Sequence, residues 1–229
     1  MSSLTDVTFL IPYKKDSEER AQNLSIVKNY VYSLQTHVLV LEMNEDPFHR
    51  TKYLNKLIKM STTPFVCLLD VDVIVKKDNI FKAVEFLKEG ATLSYPYSGR
   101  FLNVPNSAKT LSIEEWEKMN LMKLSPGDNS VGGIVFAHKE RYKECGWENE
   151  NFIQWGEEDE ERFCRVRKLG YTIKRVDGVV YHLNHPRSEK DNYGNPYFKT
   201  NVVERKKVES MTQDQLKEYI KTWQWIKQV

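Results

Sequence analysis

The alternation of apolar and helical segments in the first half of the chain is the feature that most limits its fold. Three short apolar runs, at 7–12, 37–41 and 65–69, have the length and composition of buried strands. Helical patterns lie between them, at 16–31 and 48–60. Strands that are apolar throughout and alternate with helices are typical of a parallel sheet that helices cover on both faces. We therefore predict an α/β fold.

The length and charge of the chain suit one domain and exclude some partners. Its 229 residues, 40% of them hydrophobic, are enough for one α/β domain with a proper core. A net charge of +2 gives no indication of a nucleic-acid groove or a general membrane-binding surface. Cys67, Cys145 and Cys164 form no CxxC pair, so we expect reduced thiols in a cytoplasmic protein. No segment has the pattern of a signal peptide or the length of a transmembrane helix.

The second half of the chain has a less regular pattern. Ser112 and Glu115 have the spacing of a helix capping box. The polar stretch 184–201 contains prolines and a glycine, and we expect a mobile loop there. Further elements are predicted as strands at 93–97, 131–137, 171–176 and 179–181 and as helices at 80–87 and 158–169.

The chain ends in a predicted helix whose start is marked by Thr212 and Gln215, a second capping-box pair. One stripe of this helix is formed by Leu216, Tyr219, Ile220 and Trp223, and Trp223, Trp225 and Ile226 lie among lysines. Contact of this helix with a membrane surface or a partner chain is one interpretation. The alternative, which we favour, is that the stripe packs onto the main domain.

Carboxylates follow the third predicted strand as Asp70-Val71-Asp72. In open parallel sheets, ligands bind beyond the carboxyl ends of the strands. Asp70 and Asp72 are two residues apart, so an extended chain places both carboxylates on one side, where a cation would offset their repulsion. Hard carboxylate oxygens suit Mg²⁺ or Mn²⁺ together with substrate phosphates. The alternative is a turn with solvated aspartates.

Two histidines, His182 and His185, follow the last of the predicted strands. Imidazole nitrogens added to carboxylates would favour Mn²⁺ over Mg²⁺. The alternative for either residue is an ordinary polar loop histidine.

The segment 155–161 combines an aromatic ring, a glycine and a carboxylate cluster. The face of Trp155 can support the apolar side of a sugar ring, and Gly156 lets the backbone approach a ligand closely. A carboxylate beside that ring could act as general base for a sugar hydroxyl. The simpler explanation, that acidic residues favour the start of a helix, accounts for Glu160 and Glu161 but not for the Trp-Gly pair.

Taken in order, these motifs resemble those of a nucleotide-sugar-dependent glycosyltransferase of the GT-A fold. The resemblance is strongest to the inverting β-1,4-galactosyltransferase and chondroitin-polymerase type. It is carried by IPY at 11–13, FHRTKYLN at 48–55, DVD at 70–72, the glycine pair at 132–133, WGEEDEE at 155–161 and a histidine after the final strand.

The resemblance implies a single GT-A domain over 1–229, with a mixed, mostly parallel central sheet flanked by helices. Its parts would be a nucleotide-binding half at 1–100, an acceptor and catalytic half at 101–187, and a mobile loop with a C-terminal helix at 188–229. The implied activity is metal-dependent, inverting transfer of a hexose or N-acetylhexosamine from a UDP-sugar to a saccharide or glycolipid acceptor.

The resemblance also implies roles for individual residues. The nucleotide-sugar would contact Pro12, Tyr13, Arg20, Glu42, Phe48, Arg50, Asp70 and Val71. The acceptor would contact Gly133, Trp155, Gly156 and Glu158. Asp72 would bind Mn²⁺ (or Mg²⁺), completed by His182 with His185 as second choice, and Asp159 would be the general base. For Arg20, a surface charge on a helix is an equally good interpretation.

The chain also departs from the family pattern. The usual WGGEDDD is WGEEDEE here, so Glu157 replaces the second glycine, which bears on the flexibility of this loop and on the acceptor. The membrane anchor and stem of the animal enzymes are not seen. We therefore expect a bacterial-type cytoplasmic enzyme of polysaccharide biosynthesis, with the inner membrane face as a place of peripheral contact.

Two other functions are compatible with the motifs. Phosphohydrolases of the haloacid-dehalogenase type carry DxD after an apolar strand, with the first aspartate as nucleophile. That strand is normally the first of the fold, whereas two predicted strands precede Asp70 here. A non-catalytic sugar-binding protein on a transferase fold is the other alternative.

Overall fold

The computed structural model describes residues 4–124, 129–186 and 193–227. The first half alternates strands and helices as predicted. Its elements are β1 (Val7–Tyr13), α1 (Glu18–Ser33), β2 (His37–Glu42), α2 (Arg50–Met60), β3 (Phe65–Leu69), β4 (Val73–Ile74) and α3 (Lys77–Lys88). The second half contains β5 (Leu93–Tyr95), β6 (Arg100–Val104), α4 (Ile113–Trp116), β7 (Met122–Lys123), β8 (Ile134–His138), α5 (Lys139–Glu144), α6 (Glu158–Lys168), β9 (Ile173–Arg175), β10 (Val179–Leu183), α7 (Phe198–Ser210), α8 (Gln213–Lys221) and α9 (Gln224–Lys227).

The central sheet is mixed, with the strand order β2-β1-β3-β8-β5-β9. The strands β1, β2 and β3 are parallel, β8 runs antiparallel to both β3 and β5, and β5 and β9 are parallel. Leu69 pairs with Ile134, and just beyond this pair the Asp70 amide donates to the Gly133 carbonyl at 2.8 Å. This register places the glycine pair beside the DVD segment.

A second, smaller sheet of β4, β10, β6 and β7 brings His182 and His185 to Asp72. His182 on β10 pairs with Val73 on β4, and the Leu183 amide donates to the Asp72 carbonyl at 2.7 Å. The strands β4, β6 and β7 were not predicted, because two of them are only two residues long and β6 has no continuous apolar run.

The prediction of a loop over 184–201 is wrong in its last part, where α7 begins at Phe198. Residues 187–192 of that stretch lie outside the described residues. The buried side of α7 consists of Asn201, Glu204 and Val208, so the helix carries no apolar period that would reveal it.

The C-terminal stripe packs onto the domain. Leu216, Ile220 and Trp223 are buried, and the guanidinium of Arg165 lies 5.2 Å from the Trp223 ring centroid. The predicted capping box at the start of α8 is present. In the part of the chain that the structure describes, no helix combines the length and apolar character needed to cross a membrane.

Candidate active site

A cleft of about 560 Å³ opens where β3, β8, β10 and the start of α6 meet. The predicted site residues that line it are Pro12, Arg20, Phe48, Arg50, Asp70, Val71, Asp72, Gly133, Trp155, Gly156, Glu158, Asp159, His182 and His185. Two predicted nucleotide contacts, Tyr13 and Glu42, are paired at the ends of β1 and β2 and are not among the lining residues. The strand ends thus gather most of the predicted set into one cavity.

Asp72, His182 and His185 form a group that could hold a metal ion. One ligand atom from each lies within 4.8 Å of the others. His185 Nε2 is 3.0 Å from Asp72 Oδ2, and His182 Nε2 is 3.9 Å from Asp72 Oδ1. The structure therefore brings both histidines to the aspartate, whereas the sequence ranked His182 ahead of His185.

The electrostatics of this group suit a cation. Burial by itself would raise the pKa of Asp72, but the hydrogen bond from His185 and the charges of His182 and His185 lower it to about 2. For His185, burial lowers the pKa, yet the hydrogen bond to Asp72 and the charge of Asp72 together outweigh it and the net shift is upward. One carboxylate and two imidazoles are a donor set that fits Mn²⁺ or another borderline divalent ion.

Asp70 does not join the metal group but is bound by Arg50. Both Nε and Nη2 of Arg50 donate to Asp70 Oδ1, at 2.9 and 2.7 Å. Arg50 Nη1 also lies 3.5 Å from Asp159 Oδ1, so one buried guanidinium serves two carboxylates. Burial raises the pKa of Asp70 to about 6, although Arg50 opposes the shift.

Asp159 stands at the second position of α6 and is held against the glycine pair. Arg162 Nη2 donates to Asp159 Oδ1 at 2.7 Å. A Cβ added at Gly132 would lie 2.6 Å from Asp159 Oδ2, so only glycine fits there without displacement of the carboxylate. Gly133 has φ +78°, and a Cβ there would meet the Phe101 ring at 2.9 Å. The glycine pair thus makes room both for the carboxylate and for the second sheet.

Glu158 is buried beside Asp159 and has a different electrostatic character. Its Oε2 accepts from the Gly156 amide at 3.0 Å. Burial, and then the charge of Asp159, raise the pKa of Glu158 to about 8. The raised pKa favours the protonated form of this residue, a carboxylic acid that can donate a hydrogen bond.

Trp155 belongs to an aromatic cluster that sequence reasoning missed. Its ring is stacked on Phe198 at 6.1 Å with an interplanar angle of 18°, and it meets the edge of Tyr193 at 5.4 Å. Tyr193 and Phe198 line the cleft. Both lie in the stretch predicted as a loop, where aromatic residues in an otherwise polar segment were the available signal.

Comparisons with known proteins agree with this architecture. A protein-family model described as the N-terminal domain of galactosyltransferase matches residues 118–189. The β-1,4-galactosyltransferase 7 of Drosophila melanogaster is 24% identical over 191 residues, which are 80% of this chain and 51% of the relative. The Homo sapiens protein of the same name is 23% identical over 192 residues, covering 79% and 51%. The chain therefore spans about half the length of the curated relatives it matches.

Solved structures show the fold. A mutant of Drosophila β-1,4-galactosyltransferase 7 in complex with manganese, UDP-Gal and xylobiose matches with a TM-score of 0.63 at 17% identity, over 91% of this chain and 82% of that chain. Staphylococcus aureus TarS in complex with UDP-GlcNAc matches with a TM-score of 0.57 at 11% identity, over 93% and 70%. The chain accordingly has the GT-A fold of nucleotide-sugar glycosyltransferases, and among them it is similar to the β-1,4-galactosyltransferases.

Proposed function

We propose that this protein is a metal-dependent inverting glycosyltransferase that moves a hexose or N-acetylhexosamine from a UDP-sugar to a saccharide acceptor. The observation that carries the proposal is that the Asp72, His182 and His185 group and the Asp159 carboxylate open on the same cleft. Support also comes from the similar structure that contains manganese, UDP-Gal and xylobiose. The sugar and the acceptor named there belong to that protein and are starting points for a test.

The donor would occupy the end of the cleft at β3 and β10. Asp72, His182 and His185 would hold Mn²⁺ (or Mg²⁺), which would neutralise charge growing on the UDP leaving group. Arg20 lines the same end, and its positive charge acts on Asp72, so it is placed to attract the diphosphate. Pro12 and Phe48 would border the nucleoside.

The acceptor would occupy the opposite end, against the aromatic cluster. The faces of Trp155, Tyr193 and Phe198 offer an apolar surface for a sugar ring. Glu158, whose pKa is raised by burial, would in its protonated form donate a hydrogen bond to a sugar hydroxyl. Gly156 allows the Phe198 ring to pack against this turn, because a Cβ there would meet that ring at 2.9 Å.

Asp159 lies between the two ends and would take the proton of the attacking hydroxyl. As the acceptor oxygen bonds to the anomeric carbon, the bond from that carbon to the UDP oxygen breaks, and attack from the opposite face inverts the configuration. Arg162 fixes the Asp159 carboxylate at 2.7 Å, and Arg50 lies 3.5 Å away on the donor side. Both contacts fix the orientation of the Asp159 carboxylate.

The phosphohydrolase alternative is not favoured. Its nucleophile would be Asp70, and that carboxylate accepts two hydrogen bonds from Arg50. Asp70 also follows the third strand of a chain that has the GT-A fold, whereas the phosphohydrolase motif normally follows the first strand of its fold. Hydrolysis of p-nitrophenyl phosphate by the purified protein would contradict this assignment.

Calorimetry of UDP binding, with and without Mn²⁺, tests the proposed function directly. We expect wild-type protein to bind UDP in a Mn²⁺-dependent way and Asp72→Ala to lose at least about tenfold in affinity. Asp177→Ala, at a side chain that is 92% exposed, is the matched aspartate control and should bind like wild type. Equal UDP binding with and without metal in all three proteins would contradict the proposal. A screen of transfer then starts from UDP-galactose and xylobiose.

A further inference from the structure

Glu157 has a backbone conformation that residues with a side chain rarely adopt. Its φ is +77°, in the left-handed region, directly before α6. Such a conformation in a residue other than glycine is strained and persists only where surrounding contacts fix it. The glycine found here in the WGGEDDD motif would adopt it without steric cost. Some contact must therefore hold Glu157 in place in this protein.

That contact comes from Arg205, about two turns into α7. The Arg205 guanidinium donates to the Glu157 carboxylate and also to Glu209 on its own helix. Its Nε lies 3.9 Å from Glu160. The side chains of Glu157 and Arg205 are only 15% and 20% exposed, so water screens their attraction less than it screens a surface ion pair.

The helix α7 also binds the backbone on both sides of Trp155. Asn201, one helical turn before Arg205, is 1% exposed. Its amide nitrogen donates to the carbonyls of Ile153 and Gly156 at 3.0 and 3.1 Å. Asn195 donates to the Trp155 carbonyl at 3.0 Å. Side chains from 195–205 thus hold 153–157 at several consecutive points.

We propose that Arg205 is a positioning residue for acceptor binding, which through Glu157 fixes the turn that sets the Trp155 ring relative to the Asp159 carboxylate. This inference rests on the function proposed above, because it takes Trp155 as the acceptor surface and Asp159 as the base. Arg205 itself does not line the cleft, whereas Glu157 does. Loss of the pair would release the left-handed residue and let the turn move, while the donor end stays unchanged on its strands.

The test is a double-mutant cycle of Arg205→Gln and Glu157→Gln, with Glu209→Gln as control. The control removes an ion pair from the same arginine without touching the turn. Kinetics use UDP-galactose as donor and xylobiose as acceptor. We expect Arg205→Gln to raise the KM for xylobiose by about tenfold, to change the KM for UDP-galactose by less than about twofold, and to add little in the Glu157→Gln background.

A purely structural role predicts a different result, namely a lower melting temperature with donor and acceptor KM values unchanged or raised together. That outcome overturns the inference, as does a full effect of Arg205→Gln in the Glu157→Gln background. Equal effects of Arg205→Gln and Glu209→Gln on the KM for xylobiose also overturn it.

Hydrogen exchange separates a failure of this inference from a failure of the proposed function. Exchange at the amides of 153–159 should rise in Arg205→Gln and not in Glu209→Gln, with β3 protected in both. This arm needs no substrate, so unchanged exchange in Arg205→Gln overturns the inference even if xylobiose is not accepted. Absence of Mn²⁺-dependent UDP binding by wild-type protein instead rejects the function on which the inference rests.

Discussion

The two ends of the cleft are built in different ways. At the end proposed for the donor, β-sheet backbone places the candidate groups: the Asp70 amide donates to the Gly133 carbonyl at 2.8 Å and the Leu183 amide to the Asp72 carbonyl at 2.7 Å. At the acceptor end, side chains such as Asn201 hold a segment without regular structure. A main-chain ladder tolerates changes of side chain, whereas the acceptor end depends on particular residues. Substitutions far from the chemistry should therefore disturb acceptor binding more than donor binding.

The largest effect is expected where the two ends meet, at the candidate base. Asp159→Asn keeps the size of the side chain but removes the proton acceptor, so transfer should fall by about 10²- to 10⁴-fold in kcat. UDP binding with Mn²⁺ should stay close to wild type, as calorimetry would measure. Glu160→Gln is the neighbouring control, because Glu160 lines the cleft but its side chain is 66% exposed. Full transfer by Asp159→Asn would refute the assignment of the base.

The second prediction concerns how precisely the Asp159 carboxylate must be positioned. In Gly132→Ala the new Cβ would stand 2.6 Å from Asp159 Oδ2, so the carboxylate has to move. A displacement of this size near the reacting atoms can cost about 10²-fold in rate. We expect kcat to fall by roughly that factor, with the KM for UDP-sugar little changed. A variant with normal kcat would mean that the carboxylate tolerates displacement and that its position here is not the productive one.

Alanine variants of two buried asparagines, one at each end of the cleft, test the difference between the two ends. Asn23 donates to the Leu183 carbonyl at 3.0 Å at the donor end, and Asn201 donates to the acceptor segment. Alanine at either position leaves buried carbonyls unpaired and should lower the free energy of unfolding by about 1–3 kcal/mol. Only Asn201→Ala should also raise the KM for the acceptor, since strands hold the donor end. Equal acceptor defects in both variants would remove the distinction between the ends.

The last expected effect is a dependence of stability on pH that belongs to Glu158. Its pKa is raised from 4.5 to about 8 in the folded protein, first by burial. The stability that goes with this protonated group is complete below pH 4.5 and is lost as the pH rises through about 8. The unfolding free energy of wild type should therefore fall over this interval relative to that of Glu158→Gln in urea titrations. Parallel curves for the two proteins would contradict the raised pKa.

Much of the donor end could be predicted from the sequence because its signals are local. The strand Phe65–Leu69 has the predicted bounds, and Asp72 follows it at the predicted edge of the sheet. The choice between His182 and His185 could not be made, since it depends on how the chain turns after β10. In the structure both reach Asp72.

Only part of the acceptor end could be predicted from the sequence. Trp155, Gly156 and Asp159 form a compact motif that the sequence indicates without help from tertiary structure. Phe198 and Asn201 were missed, because α7 buries polar residues and so lacks the apolar repeat by which helices are recognised. An asparagine such as Asn201 can be buried because its amide donates to backbone carbonyls. Those carbonyls belong to a segment more than forty residues earlier, so the sequence around Asn201 does not reveal them.

The pairing of β10 with β4 has a consequence for how the protein is made. Asp72 leaves the ribosome early, but its two histidine partners are synthesised only when residues 182 and 185 have been added. A nascent chain that ends before His185 cannot supply all three groups, so a divalent cation would stabilise only chains that extend past this residue. At a free concentration of about 100 times its Kd, such an ion would add about 2.7 kcal/mol to the stability of the finished chain. Metal supply would in this way favour chains that have been synthesised at least as far as His185.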